Sequence, residues 1–385
     1  TDKTLTYSGT AISLGANTLT LSGGGTFSNT NALVLNNADS LLSLSGYGEF
    51  TGDIELAGGA FNAADSLTLD GTVSITADSE IKVTDTLTLS QAGGLALGAN
   101  TLTLSGGGSL SSEVITLDNA DSKLLLDDIT LNKAVTSANS LGIDVDTNSA
   151  ITTLEIGHTT PVSIAQGVTL SGAITLTAGS IKLNETGTVA SSVEMIGGTL
   201  DVDESLTLSG ALSQSGDATI DMAQNKTLTY SGGAVNLGAN TLTLNGKGTF
   251  SNSNALVLNN ADSLLSINDT ITVGSASVTA ASNENKGLVV NASGTISSLS
   301  ISANTSLNIA NEITLGGAAE IAEGATLSLN NTGTFGSTLN LKGSLDLGAN
   351  QTVTGLISVG GDASISIPEN ITLNYSGGNL KVGDN

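Results

Sequence analysis

Leu14-Gly15-Ala16-Asn17-Thr18-Leu19-Thr20-Leu21 is the stretch whose reading decides the fold. The same eight letters return at 97–104 and at 237–244, and a looser form stands at 347–353. Strict alternation of Leu with Thr puts the two residue types on opposite faces of an extended strand. The β-branched Thr favours that backbone. The Gly and Asn ahead of it tolerate the left-handed conformation that a sharp corner needs. The octet reads as a corner leading into a half-buried strand.

Working outward, residues 3–43 and 226–266 align without a gap, and about 35 of the 41 positions are identical. A third copy at 95–126 keeps Ser105-Gly106-Gly107-Gly108 and Asn119-Ala120-Asp121-Ser122. A second family is offset from the first. In it Asp217, Ile220, Asn225 and Tyr230 correspond to Asp362, Ile365, Asn370 and Tyr375, and the chain closes inside a repeat at Gly383-Asp384-Asn385. Below this long period lies a short one. Apolar alternations at Leu67-Leu69, Val73-Ile75, Ile81-Val83, Leu87-Leu89, Leu95-Leu97 and Leu102-Leu104 recur about every seven residues, with turn residues between. No stripe of helical period accompanies them.

Strands this short do not make an ordinary hairpin sheet, but three of them make one turn of a coil. The expectation is an all-β chain: a single-stranded parallel β-helix of about 18 coils, each of roughly 20–22 residues with three short strands. It would run as one continuous β-solenoid over 1–385, a rod of about 85–90 Å at the spacing of neighbouring strands. The least regular part is 118–164, where a loop excursion is expected. Leu5, Leu14, Leu19, Leu21, Leu33 and Leu35 should point inward, and Thr18 and Thr20 outward. Phe27, Phe50, Phe61, Phe250 and Phe335 should stack in the bore. Asn17, Asn100 and Asn240 should form amide ladders up a corner. Pro161 and Pro368 should sit at corners, because a paired strand cannot spare an N–H.

Composition narrows the function. The net charge is −25, with 10 Lys and no Arg, which excludes nucleic acid as a partner. The hydrophobic share of 39% supports a core, and aromatics at 2% make that core aliphatic. No apolar run approaches the roughly 20 residues of a membrane helix, so no membrane insertion is expected. The absence of Cys removes disulfides and thiolate metal sites, and suits export. The chain begins at Thr1, so either a leader was removed or the sequence is a piece of something longer.

The units LGANTLTLSGGGTF and LTLSGALSQSGDATI resemble the strand repeats in passenger domains of autotransporters and related large bacterial surface adhesins. The resemblance covers nearly the whole chain. It implies a right-handed coil, export, an extracellular or cell-surface location and an adhesive or scaffolding task. A C-terminal membrane barrel of the kind those families carry is not in the sequence.

Candidate chemistry is sparse. His158 is the single histidine, too little for a zinc or nucleophilic site and most simply a loop residue. Asp144, Asp146, Asn148 and Glu155, with Ile151 and Thr152, fall at the spacing of a Ca²⁺ loop. Ser149 stands where that loop needs its turn glycine, and the flanks read as strands, so the other reading is a solvated acidic loop. Asp201, Asp203 and Glu204 form a second acidic cluster, read as outward and solvated. Glycoside hydrolysis needs two carboxylates across a cleft, and the acids here are scattered. Gly23-Gly24-Gly25 and Gly106-Gly107-Gly108 are corners rather than phosphate loops. The Thr-x-Thr pairs at Thr18, Thr86, Thr101, Thr175 and Thr241 do not recur on every coil, which argues against an ice-binding array. The expectation is therefore a non-catalytic extracellular solenoid of an adhesin or surface fibre, requiring no cofactor. It would associate end to end with itself or continue into further repeats. The alternative is a β-helix that binds or processes polysaccharide.

Overall fold

A computed structural model describes residues 3–382 apart from Tyr47, Asn139, 284–285, 291–293 and 310–311. The closing Gly383-Asp384-Asn385 lies outside the described residues. The fold is the expected one: all-β, with parallel ladders wound as a β-solenoid of about 18 turns. The chain divides into two compact units, Thr1–Ser192 and Val193–Asn385.

In the first unit, Thr18–Ser22 pairs in parallel with Leu41–Ser45, which pairs with Ala60–Ala63, which pairs with Ser79–Val83. Thr4–Tyr7 begins a second ladder on Thr26–Asn29. A third runs from Ile12–Ser13 through Leu33–Leu35 and Ile54–Ala57 to Val73–Ala77. Each winding thus contributes one strand to each of three sheets. Side chains alternate in and out, so equivalent apolar residues stack winding upon winding. Phe27 lies on Phe50 with ring centroids 5.1 Å apart. The second unit repeats the plan: Leu228, Phe250, Val273, Ile296, Leu315, Phe335 and Val353 form one buried column. All five Phe are buried, as the alternation requires.

Several expectations need correction. Windings are less uniform than 20–22 residues: Leu327 pairs with Leu345, 18 positions on, and Ile220 with Leu244, 24 positions on. The variation sits in the corners, which absorb insertions while strands keep register. The stretch 118–164 carries the longest strands instead of an excursion among its described residues. There Thr130–Ser137 and Ser149–Ile156 each fuse two short strands into one of 8 residues, leaving two strands per winding. A register shift between Leu131 and Ala134 marks the lost corner. Pro161 is not at a corner. It stands in Thr160–Ile164, in register with Lys182. Towards Gly142–Val145 the ladder begins only at Val162, so the missing N–H falls at the unpaired start of the strand. Pro368 does sit at a corner, where its carbonyl accepts from the Ile371 N–H. Leu14, Leu33 and Leu35 are buried, and Thr18 and Thr20 are exposed. Leu5 occupies an inward register position opposite Phe27 yet is 59% exposed, and Leu19 and Leu21 are half-exposed, because these strands border the outer side of the first winding.

The corner asparagines do not ladder. Asn17, Asn100 and Asn240 each donate from Nδ2 to the carbonyl three residues back, on Leu14, Leu97 and Leu237, at 2.8–2.9 Å. They close their own turn, and the repeated octet belongs to a larger device. Gly238, at φ 60°, donates its N–H to Asn259 Oδ1 on the next winding at 2.9 Å. Ser263 Oγ donates to the Gly238 carbonyl at 2.5 Å and accepts from the Asn260 N–H at 3.0 Å. Asn260 Oδ1 accepts from the Asp262 N–H at 2.9 Å. The same bonds recur between Gly15 and Asn36-Asn37-Ala38-Asp39-Ser40 and between Gly98 and Asp118-Asn119-Ala120-Asp121-Ser122. This clasp ties one winding to the next at a corner, where no strand pairing does so. It explains why those letters recur in pairs about 20 residues apart. Ser263 is fully buried, so Ser263→Ala leaves one carbonyl and one N–H unsatisfied. The expected loss is about 1–3 kcal/mol, read as a lowered urea midpoint. Ser8→Ala, outside the clasp, should leave the midpoint in place.

Candidate functional site

The outward faces are where function must reside, because the bore is filled by aliphatic side chains. The calcium candidates do not converge. Asp144 lies on Gly142–Val145, with its Oδ2 2.5 Å from Lys123 Nζ. Asn148 Oδ1 accepts from the Thr169 N–H at 2.8 Å. Asp146 is an exposed corner residue. Glu155 is on Ser149–Ile156, in a different sheet from Asp144, flanked in register by Thr136 and Thr175. Of the two positions between, Ile151 is buried and Thr152 donates to the Leu131 carbonyl at 2.8 Å. No group of three or more His, Asp or Glu that could hold a metal ion occurs among the described residues. His158 is exposed in a corner.

The second acidic cluster is tighter than its spacing suggested. Asp201 and Asp221 face each other across neighbouring strands, Thr199–Val202 and Ala218–Met222. Asp221 stands in turn opposite Asn245, whose Oδ1 accepts from Asn268 Nδ2 at 2.8 Å. Glu204, by contrast, is 2.5 Å from Lys226 Nζ. Burial, and then the Asp201 carboxylate with smaller contributions from Asp203 and Asp269, hold the Asp221 carboxyl above its ordinary value of 3.8. A raised folded-state pKa means that the native state binds this proton more tightly than the unfolded chain does. The resulting stabilisation is fully present below the ordinary value and is lost as pH rises through the raised one. At neutral pH the ionised group therefore costs stability. Asp221→Asn is expected to raise the melting temperature at pH 7, by the equivalent of a few tenths to about 1 kcal/mol for a like-charge cross-strand pair. The gain over wild type should vanish near pH 3. An advantage that persists there would mean that charge is not its origin.

The most regular outward feature was not legible as a motif. In the second unit Thr227 stands in register with Thr249, and the series continues through Thr272, Thr295, Thr314, Thr334 and Thr352. Seven consecutive windings present Thr at one position, each residue half-exposed. They alternate with the buried column from Leu228 to Val353, so each Thr sits between strongly anchored neighbours. The equivalent row in the first unit is broken: Thr4 and Thr26 are followed by Glu49 before Thr68 and Thr88. Two residues beyond the Thr column come Ser251, Gly274, Ser297, Gly316 and Gly336, between Thr229 and Thr354 at its ends, so the middle of this flank is low and the whole of it is free of charge.

No helix among the described residues is long and apolar enough to cross a membrane. No family model, curated protein or solved structure matches the chain.

Proposed function

We propose that the chain is a structural, non-catalytic β-solenoid of an extracellular adhesin or surface fibre. The observation that carries this reading is the interwinding clasp, built three times from the same residues. Its buried serines, and the exposed asparagines and Asp118 beside them, spend side-chain oxygens on holding windings and corners together. Asp144 and Glu204 are engaged by Lys123 and Lys226, and the facing pair Asp201 and Asp221 stands on adjacent strands of one sheet rather than on two sides of a cleft, which fits a scaffold better than a hydrolase. The strong negative charge suits a surface that stays soluble and resists aggregation. Extension of the ladder by further windings, from a longer chain or a second copy, belongs to the same reading.

The test is display of the chain on beads, scored for retention on extracellular matrix proteins and on cell surfaces. A reducing-sugar assay over a polysaccharide panel runs in parallel. Retention without sugar release supports a scaffold or adhesin, whereas release of reducing ends would replace it with an enzyme. Concentration-dependent filaments in electron micrographs would identify a second copy as the extension, and rods of constant length would remove it.

A further inference from the structure

The geometry points to the threonine column of the second unit as an ice-binding face. The inference is independent of the adhesive reading and rests on four features of the column.

First, the period is fixed by the backbone. Parallel strands lie about 4.8 Å apart, so hydroxyls at one register position repeat at that distance whatever the corners do. The seven threonines hold this row although the chain between successive members varies from 18 residues, Thr334 to Thr352, to 23, Thr272 to Thr295. Second, Thr is stiff at χ1, so on one backbone geometry it offers a methyl and a hydroxyl in a repeated orientation. Third, the hydroxyls are too far apart to bond one another, since an O–H···O bond spans about 2.7–2.8 Å. None of the seven Oγ1 atoms has a hydrogen-bond partner among the described residues. Each is left to a water molecule, and the bound waters inherit the sheet's period. That period is close to the repeat of equivalent oxygen atoms in a lattice plane of ice. Fourth, the seven threonines and the flank on their C-terminal side carry no charge although the chain has 35 acidic residues; the exposed Lys247 and Glu312 stand on the opposite flank, so a flat surface would approach over the low Gly and Ser side. Charged groups hold their own hydration shells and would disrupt a lattice.

A soluble sugar polymer is a poorer occupant. Recognition of sugar rings draws on exposed aromatic faces, and neither the column nor its flank contains an aromatic residue. Cross-strand Thr pairing stabilises sheets in general, but that need would be met equally by the broken row of the first unit.

The experiment uses the whole chain. Thermal hysteresis and inhibition of ice recrystallisation are measured for wild type, for Thr295→Lys with Thr314→Lys, and for Thr295→Val with Thr314→Val. Thr88→Lys in the first unit is the control. Wild type is expected to open a hysteresis gap and facet the crystals. The Lys pair should abolish both, the Val pair should lessen them with the far-ultraviolet circular dichroism unchanged, and Thr88→Lys should leave them intact. Wild type without hysteresis or recrystallisation inhibition overturns the proposal. So does equal loss in Thr88→Lys, or retention of full activity in the Lys pair. Co-sedimentation of wild type with crystalline polysaccharide in the absence of ice activity would overturn it in favour of a carbohydrate partner.

Discussion

Phe250→Ala is expected to cost about 3–5 kcal/mol. The ring is fully buried and stacked on Tyr230, with centroids 6.1 Å apart. Leu228 and Val273 lie above and below it in the bore. A narrow tube has little freedom to collapse around the missing ring, because each wall is tied by backbone hydrogen bonds to the windings on both sides. In a solenoid, stability is close to a sum of nearest-neighbour terms, so the loss should be local. Amide exchange should quicken most over Thr227–Tyr230 and Thr272–Val278 and little around Leu339–Leu341. A uniform increase along the chain would show that the molecule unfolds as one cooperative body, against nearest-neighbour behaviour. An unchanged urea midpoint would show that the ring is not a structural anchor.

Gly172→Ala is expected to be comparably damaging, for a different reason. Gly172 lies in Thr169–Leu176 at φ 122°, opposite Ile151 at a break in register. A Cβ there would stand 1.5 Å from the Ile151 carbonyl oxygen, far inside contact distance, and backbone cannot swing away as a long side chain could. Strain of about 1–3 kcal/mol from the left-handed backbone adds to about 1–3 kcal/mol of overpacking. The bulge at this position lets one 8-residue strand replace two strands and a corner. Gly167→Ala is the informative comparison: it has positive φ but open space around a built Cβ, so it should show the strain alone. Equal midpoints for the two variants would rule out the clash as the cause.

Much of this architecture is legible in the sequence. Alternation at Leu67-Leu69 and Ile81-Val83 identified strands and their inward faces, and the long repeats identified a solenoid. Where the reading failed, the cause was a neighbour out of view. Leu5 has inward phase but borders an outer edge. Asn17 has the position of a ladder residue, yet its amide reaches the Leu14 carbonyl three residues back sooner than another winding. Pro161 is expected at a corner because a paired strand cannot spare an N–H, yet the ladder towards Gly142–Val145 begins only at Val162 and leaves that position unpaired. The acidic candidates at Asp144 to Glu155 match a loop in spacing, but folding places the first and last in different sheets.

The alternation of Leu with Thr, read alone, determined that this chain forms short strands with a dry side and a wet side, since side-chain direction along extended backbone is a local property. The recurrence of corner residues determined that the strands stack on their own successors. Register between windings was decided only in three dimensions. Corners differ in length, and no fixed period links Thr272, Thr295, Thr314 and Thr334; hydrogen bonding between windings brings them into one row.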